Sequence, residues 1–399
     1  MNNTIKLAVA SALLAAASSA NAGIMIPAGD WTLDIGGVVI AYYTSTRVSG
    51  DAANGGVTGA GVLTNNNKTQ SNITTGLLPN YLSVSGKTRQ NDLDVGFTIS
   101  INPGASTIAS GRQSAQQENR QAFLTFGDAS WGSIKLGKDL GIYASDAILN
   151  DMTLLGVGSA AGVLAGNTTT LGRIGTGFMY ADWKSQIAYS SPNWNGFSFT
   201  AGVTQAWDAG SVSGTSRGGS EPAFEAKASY AWAGDFAGKV WASGITQNVE
   251  FGDVAKTNDR ANAWDIGANV NVAGFGLTGY YGQGEGTGTA VLFNGGYDSV
   301  NQAQDSDDWY LQATYTLPGV GTKLGASYGE STLDINAVDG GGDSTNRMWV
   351  IGAYHPLTKH LNLVAEYSDV KAERSGSTVA LDNGSGKAKT VSLGAILFF

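Results

Sequence analysis

Residues 308–317 read DWYLQATYTL, and their side chains fall into two unlike sets. Trp309, Leu311, Ala313, Tyr315 and Leu317 share one face of an extended chain, and Tyr310, Gln312, Thr314 and Thr316 share the other. Successive side chains of a strand point to opposite sides, so this alternation marks a sheet with one apolar and one polar surface. Pro318-Gly319 follows, and then Leu324, Ala326 and Tyr328 alternate with Lys323, Gly325, Ser327 and Gly329. The same period of two runs through residues 93–101, 197–204, 224–232 and 264–272, and in 224–232 the polar side carries Glu225, Lys227 and Ser229. No stretch after residue 22 sustains a helical period over three turns.

Spacing extends the reading. Short links fall near residues 89–91, 128–130, 192–195, 234–236, 273–275, 318–320 and 357–359. They alternate with long Gly/Ser/Asn/Asp-rich segments near 46–79, 103–117, 140–176, 209–220, 252–260, 285–304, 332–343 and 374–387. Counting the strands between them gives sixteen, to within two. Many runs last 9–13 residues, where soluble sheets average about 5–6, which sets a soluble β-sandwich aside. Within a bilayer every backbone polar group must be paired, so a sheet spans only if it closes on itself. Its outside is then apolar with aromatics near the interfaces, its bore polar, its turns short on one rim and long on the other. The chain fits an all-β fold, a 16-stranded antiparallel transmembrane β-barrel. Its last strand ends on Leu397, Phe398 and Phe399 and has to reach the interface and pair with the first, near residues 31–44.

Composition agrees. The 399 residues include 57 glycines and no cysteine, only 14% are charged, and the net charge is −9. Without cysteine there is no disulfide scaffold, thiolate metal site or thiol nucleophile. An acidic chain lacks the basic face that nucleic acid requires. Residues 1–22 carry Lys6, an apolar stretch over 7–17 and Ala20-Asn21-Ala22, which is the pattern of a secretory signal peptide. Its removal takes Lys6, moves the charge from −9 to about −10, and leaves 23–399 as one barrel domain. No later apolar run approaches the roughly 20 residues of a spanning helix. The longest are 38–43 and the last five residues.

The start Gly29-Asp30-Trp31-Thr32-Leu33-Asp34-Ile35-Gly36-Gly37, the block Asn119-Arg120-Gln121-Ala122-Phe123-Leu124-Thr125-Phe126-Gly127, its continuation Trp131-Gly132-Ser133-Ile134-Lys135-Leu136-Gly137-Lys138 and the terminal Phe399 together resemble Gram-negative general diffusion porins. The resemblance spans the mature chain and is strongest over 118–200. It implies a homotrimer of barrels in the cell outer membrane, in contact with its lipid. Each barrel would have a water-filled channel for ions and small hydrophilic solutes, narrowed by a third loop folded inward. It also implies that Leu397 and Phe399 act as the barrel-assembly signal.

That loop is residues 141–175, which is less polar than the other long segments: Ile148, Leu149, Met152, Leu154, Leu155, Val157 and Val163 interleave with Gly and Ala. Packing on an inner wall would bury such a composition, whereas water would not reward it. Its carboxylates are Asp146 and Asp151. By resemblance these form the acidic side of a pore constriction, facing a basic side to which Arg120 and Arg173 match. Lys135 joins from strand five, and Lys87 and Arg89 lie along strand two toward its turn. Where the family often has another arginine on strand two, this chain has Tyr81. The overall charge favours cations, while Arg120, Arg173 and Lys135 oppose it locally, and distant loop charges are screened within about 8–10 Å.

Catalysis has no constellation to stand on. His355 and His360 flank a short turn without a nearby Ser or carboxylate set, and no phosphate-binding, dinucleotide or zinc-hydrolase motif is present. The sequence therefore predicts no enzyme and no cofactor. Acidic runs such as Asp305-Ser306-Asp307-Asp308, and Asp339 with Asp343, read as solvated loop tips with at most weak affinity for a divalent ion. Passive diffusion competes with two other readings. One is a channel of the same fold selective for an organic acid or sugar, suggested by Tyr42, Tyr280 and Tyr310 on the polar faces. The other is an adhesive or structural barrel.

Overall fold

The last strand, Gly384–Phe398, lies antiparallel to Trp31–Gly50 near the start of the chain, from Val38 opposite Phe398 to Gly50 opposite Gly386. That pairing closes the sheet on itself. This computed structural model describes residues 23–50, 69–105, 117–159, 169–207, 215–216, 221–251, 258–290, 295–379 and 384–399. The expected signal peptide 1–22 and Val163 lie outside them.

The chain runs through β1 (Ile24–Ala28), β2 (Trp31–Gly50), β3 (Thr69–Thr74), β4 (Tyr81–Gln90), β5 (Leu93–Pro103), β6 (Gln117–Glu118), β7 (Ala122–Asp128) and β8 (Gly132–Leu140). A short helix α1 (Ser145–Asn150) and a 3-10 turn over Met152–Leu155 follow. Next come β9 (Trp183–Ser190), β10 (Phe197–Thr204), β11 (Thr215–Ser216), β12 (Ala223–Trp232), β13 (Phe236–Phe251), β14 (Asn258–Val272) and β15 (Phe275–Glu285). The wall is completed by β16 (Asp305–Thr316), β17 (Lys323–Asp334), β18 (Asp343–Pro356), β19 (Leu361–Ser375) and β20 (Gly384–Phe398). Every pairing between strands is antiparallel, and the closed wall has 16 positions. β3 and β4 share one position, because both pair with β2, over its upper and lower parts. Short turns join the strands at one rim and the long connections lie at the other.

Alternation decides which surface each residue meets. Along β16 Leu311 is 61% exposed, while its neighbours Tyr310 and Gln312 are buried. Leu277, Ile266 and Leu393 likewise face outward, and Thr278, Asp265 and Ser392 inward. The apolar set therefore forms the outer surface and the polar set the bore. The part of the wall from β18 through β19 and β20 to β2 departs from this rule. On β2 Val38, Ile40 and Tyr42 point inward and are buried, as do Met348 and Val350 on β18 and Ile396 on β20.

The connection between β8 and β9 explains them, because it packs on the inner wall. Ile148, Met152, Leu154, Val157, Ile174 and Phe178 join those inward side chains, with Leu77 and Leu78, in one buried cluster. Backbone groups of the connection are satisfied by the wall. Glu225 on β12 accepts from the Ile142 and Tyr143 amides at 2.8 Å each. Gln312 on β16 accepts from the Met152 amide at 2.6 Å and donates to the Asn150 carbonyl at 2.9 Å. Glu366 on β19 accepts from the Val157 and Gly158 amides at 2.7 and 3.1 Å. Tyr42 donates to the Leu155 carbonyl and Tyr310 to that of Ala147, both at 3.0 Å. Two glycines permit the closest approaches. A Cβ on Gly156 would lie 1.9 Å from Glu366 Oε1, and one on Gly76 would lie 1.9 Å from the Gly156 carbonyl.

Two outcomes follow from this arrangement. Glu366→Ala strands two buried amides, at a cost of about 2–6 kcal/mol. It should make residues 140–183 cleavable by protease in the folded barrel, mapped by mass spectrometry, and unchanged protection refutes the clamp. Leu311→Arg on the outer face should destabilise the barrel in liposomes by about 2–4 kcal/mol, read as an earlier denaturant midpoint.

Candidate pore constriction

Helix α1 sets Asp146 against the inner wall where β12 and β13 run side by side. The carboxylate forms ion pairs with Lys239 and, at 3.3 Å, with Lys227, whose ammonium also donates to Ser145 Oγ at 2.8 Å. Asp146 is buried, whereas the two lysine side chains remain 27% and 33% exposed. Burial favours the neutral acid, yet the attraction of Lys227 and Lys239 outweighs it and holds the carboxyl below the usual range. The loop carboxylate thus meets lysines that the sequence reading did not assign to a site. Lys227 stood on the polar side of its strand, but nothing local shows which wall strand a loop residue will reach.

The pair Asp151 and Arg173 sits elsewhere. Both side chains are fully enclosed, 3.8 Å apart. Arg173 also donates to the carbonyls of Met348 and Thr176, at 3.1 and 3.2 Å, and to Ser327 Oγ at 2.6 Å. Burial pushes the Asp151 carboxyl up and the Arg173 guanidinium down, and their mutual attraction opposes both shifts. The expectation of Arg173 and Asp151 on opposite sides of an open gap needs correcting. They belong to one segment, and their charge is spent fastening it to β17 and β18.

Arg120 is likewise withdrawn from water. It pairs with Glu118 at 2.7 Å, reaches Thr169 Oγ1 at 3.4 Å and lies 5.6 Å from the Trp183 ring centroid. Lys135 forms an ion pair with Asp139 along β8 and covers the Phe123 ring at 4.9 Å. Arg89 sits at the short-turn rim, 2.9 Å from both Asp94 and Asp128, and Lys87 is exposed nearby. The sites named from sequence are therefore spread over the bore, and only Asp146 meets an open basic wall. The terminal Phe399 exchanges backbone hydrogen bonds with Gly37 at 2.8 and 3.0 Å, and Leu397 points outward.

Two other expectations shift. Asp305–Asp308 belongs to β16 rather than to a loop tip, with Asp308 buried and inward. Tyr42, Tyr280 and Tyr310 do face inward, but all are buried under the 140–183 connection and line no open path. Among the described residues no group of three or more His, Asp or Glu side chains is placed to hold a metal ion.

The model of the Gram-negative porin family matches residues 8–375. Among solved structures, the outer membrane channel DcaP of Acinetobacter baumannii is 17% identical with a TM-score of 0.71, covering 95% of this chain and 100% of that one. An anion-selective porin from Comamonas acidovorans is 17% identical with a TM-score of 0.63, covering 92% and 100%. OmpT of Vibrio cholerae, expressed in the outer membrane, is 16% identical with a TM-score of 0.58, covering 94% and 100%. A comparison with curated protein sequences gave no match. The family match over most of the length agrees with the closed wall: the chain belongs to the Gram-negative porins and is an outer-membrane channel for passive diffusion.

Proposed function

We propose that the channel prefers small anions, and that its constriction lies between helix α1 and the lysines of β12 and β13. One observation carries this reading. Beside helix α1 two inward lysines, Lys227 and Lys239, keep part of their surface open to the bore, while the carboxylates near them, Asp146 and Asp265, are buried. Charged groups lining a narrow wet pore decide ion preference at close range. The net charge of −9 is a poorer guide, because charges more than about 8–10 Å from the path are screened. The Comamonas porin described as anion-selective lends support by its shape. Solutes cross by diffusion and no chemistry is performed on them. Neutral polar solutes are limited by size alone, since the aromatic residues that would form a selective track are buried.

We also propose a homotrimer in the outer-membrane lipid, in line with a solved trimer form of OmpT. Leu397 and Phe399 would serve as the signal read when the barrel is assembled.

Replacing both Lys227 and Lys239 by Gln should shift the reversal potential in a potassium chloride gradient toward cations. Each charge is worth up to roughly 1 kcal/mol at 4 Å in water, or about fivefold in relative permeability. An unchanged potential rejects their place at the constriction. Acidification gives a second check. An ordinary aspartate takes up its proton near pH 4, and the folded value of Asp146 lies lower. Its pairing therefore contributes fully above about pH 4 and is lost as pH falls through the folded value. Selectivity should move further toward anions in strong acid as Asp146 takes up its proton, and Asp146→Asn should show that extra anion preference already at pH 7.

A further inference from the structure

Beyond Tyr280 the inner face of β15 is a furrow of glycines, with Gly282 and Gly284 in the strand and Gly286 just past its end. Hydroxyls occupy the space that side chains would take. A Cβ on Gly282 would lie 2.7 Å from Tyr280 Oη, one on Gly284 2.0 Å from Thr287 Oγ1, and one on Gly286 2.7 Å from Tyr297 Oη. All three hydroxyls are buried, and none has a hydrogen-bond partner.

Register sets two carboxylates beside this furrow. Asp265 on β14 and Asp308 on β16 both stand opposite Gly282. They point inward and are 1% and 4% exposed. Both oxygens of Asp265 and Oδ1 of Asp308 lack a hydrogen-bond partner. Lys227, whose charge reaches Asp265, is spent on Asp146 and Ser145. The charges of both aspartates act on the Tyr280 and Tyr143 hydroxyls, so these groups gather round one space. The 140–183 connection closes it toward the bore. The Ala144 amide rests on Ser243 Oγ at 3.1 Å and the Gly177 amide on Ser331 Oγ at 2.9 Å. Those serines flank Asp265 and Asp308 in the same row.

Buried polar atoms in folded proteins find partners, and buried charges are paired or coordinate a metal. Water would satisfy the hydroxyls and leave the carboxylates without a counter-charge. A lining of carboxylate and hydroxyl oxygens suits a hard cation and gives a soft one nothing to bind. We propose that the chamber between the glycine furrow of β15 and the inward connection binds a hard metal cation of the sodium or calcium kind. Asp265, Asp308 and Tyr280 Oη hold it, with water completing the shell. The cation neutralises two wall carboxylates beneath the connection and so fastens the connection over them. The proposal does not rest on the ion preference of the open bore, from which these residues are covered.

The test is the denaturant midpoint of the full mature protein in detergent, measured in sodium, calcium and choline chlorides at equal ionic strength. Choline carries charge but no vacant coordination sites, so it controls for screening. Sodium or calcium should raise the midpoint saturably. At a hundred times its Kd the metal should raise the ratio of folded to unfolded protein about a hundredfold over choline. The metal that saturates at the lower concentration is the one the chamber selects. D265N/D308N should lose this dependence on the cation, with a heat-dependent electrophoretic shift showing that it is folded. Y280F deletes one oxygen and should weaken the cation's apparent affinity about tenfold, a reading that stands even where the double variant fails to fold. D305N/D307N, on the acidic part of the outer wall, should respond as the parent does. Equal midpoints in the three salts overturn the site, and so does an undiminished response in Y280F or in D265N/D308N. Loss of the response in D305N/D307N places the cation on the outer wall and also overturns it.

Discussion

A peptide group without a hydrogen-bond partner is intolerable in hydrocarbon, and the architecture descends from that single demand. It forces β20 to find β2, because an open sheet would leave two rows of unpaired backbone. Closure by 16 wall positions then creates a bore too wide for wall side chains to fill. The 140–183 connection takes up that space and meets the same demand in turn. Its amides cannot all be served by its own short helix, so wall side chains serve them: Glu225, Gln312 and Glu366 accept or bridge at points around the barrel. The connection is held by hydrogen bonds to rigid strands, which is the condition for a bore of fixed width.

The same geometry sorts the charges into two kinds. Where the connection packs against β16–β19, charge is enclosed and neutralised, as in Arg173 with Asp151. Taking two such groups from water is costly, and the pair persists because Ser327, Met348 and Thr176 satisfy the remaining guanidinium protons. Breaking it would leave an unpaired charge in place, so it works as a fastener. Where the connection leaves water behind, at β12 and β13, Lys227 and Lys239 keep part of their surface open beside Asp146. A passing ion responds to the second kind alone, because the first presents no net charge to the path.

This division explains what could be read from the chain and what could not. Alternation in residues 308–317 fixes the faces of β16 from covalent geometry alone, and the spacing of glycine-rich segments gives the strand count to within two. In sequence the run 38–43 is one of the longest apolar stretches and too short for a spanning helix. Its meaning is three-dimensional: Val39 and Tyr43 lie exposed on the outer surface, and the inward connection covers Val38, Ile40 and Tyr42 inside. The apolar character of residues 141–175 likewise pointed to an inner wall without naming its strands. Arg173 stands between Gly172 and Ile174 and Lys227 between Ala226 and Ala228, so each is a lone cation among uncharged neighbours in sequence, and only the path of the connection decides that one is sealed and the other open.

Net charge misleads for a related reason. A closed barrel has an inside, an outside and two rims, and each exchanges charge with a different neighbour. Glu285, Asp305, Asp307 and Asp334 line one groove on the outer wall, while Arg47, Lys387 and Lys389 stand on another part of it and the inward lysines face the bore. The outer sets are separated from the inward lysines by a sheet whose two faces never share solvent. An ion in the bore is governed by side chains within a few ångströms of its path, and a lipid headgroup by those at the outer rim. The sum of −9 describes neither encounter, whereas the parity of each residue along its strand assigns it to one of them.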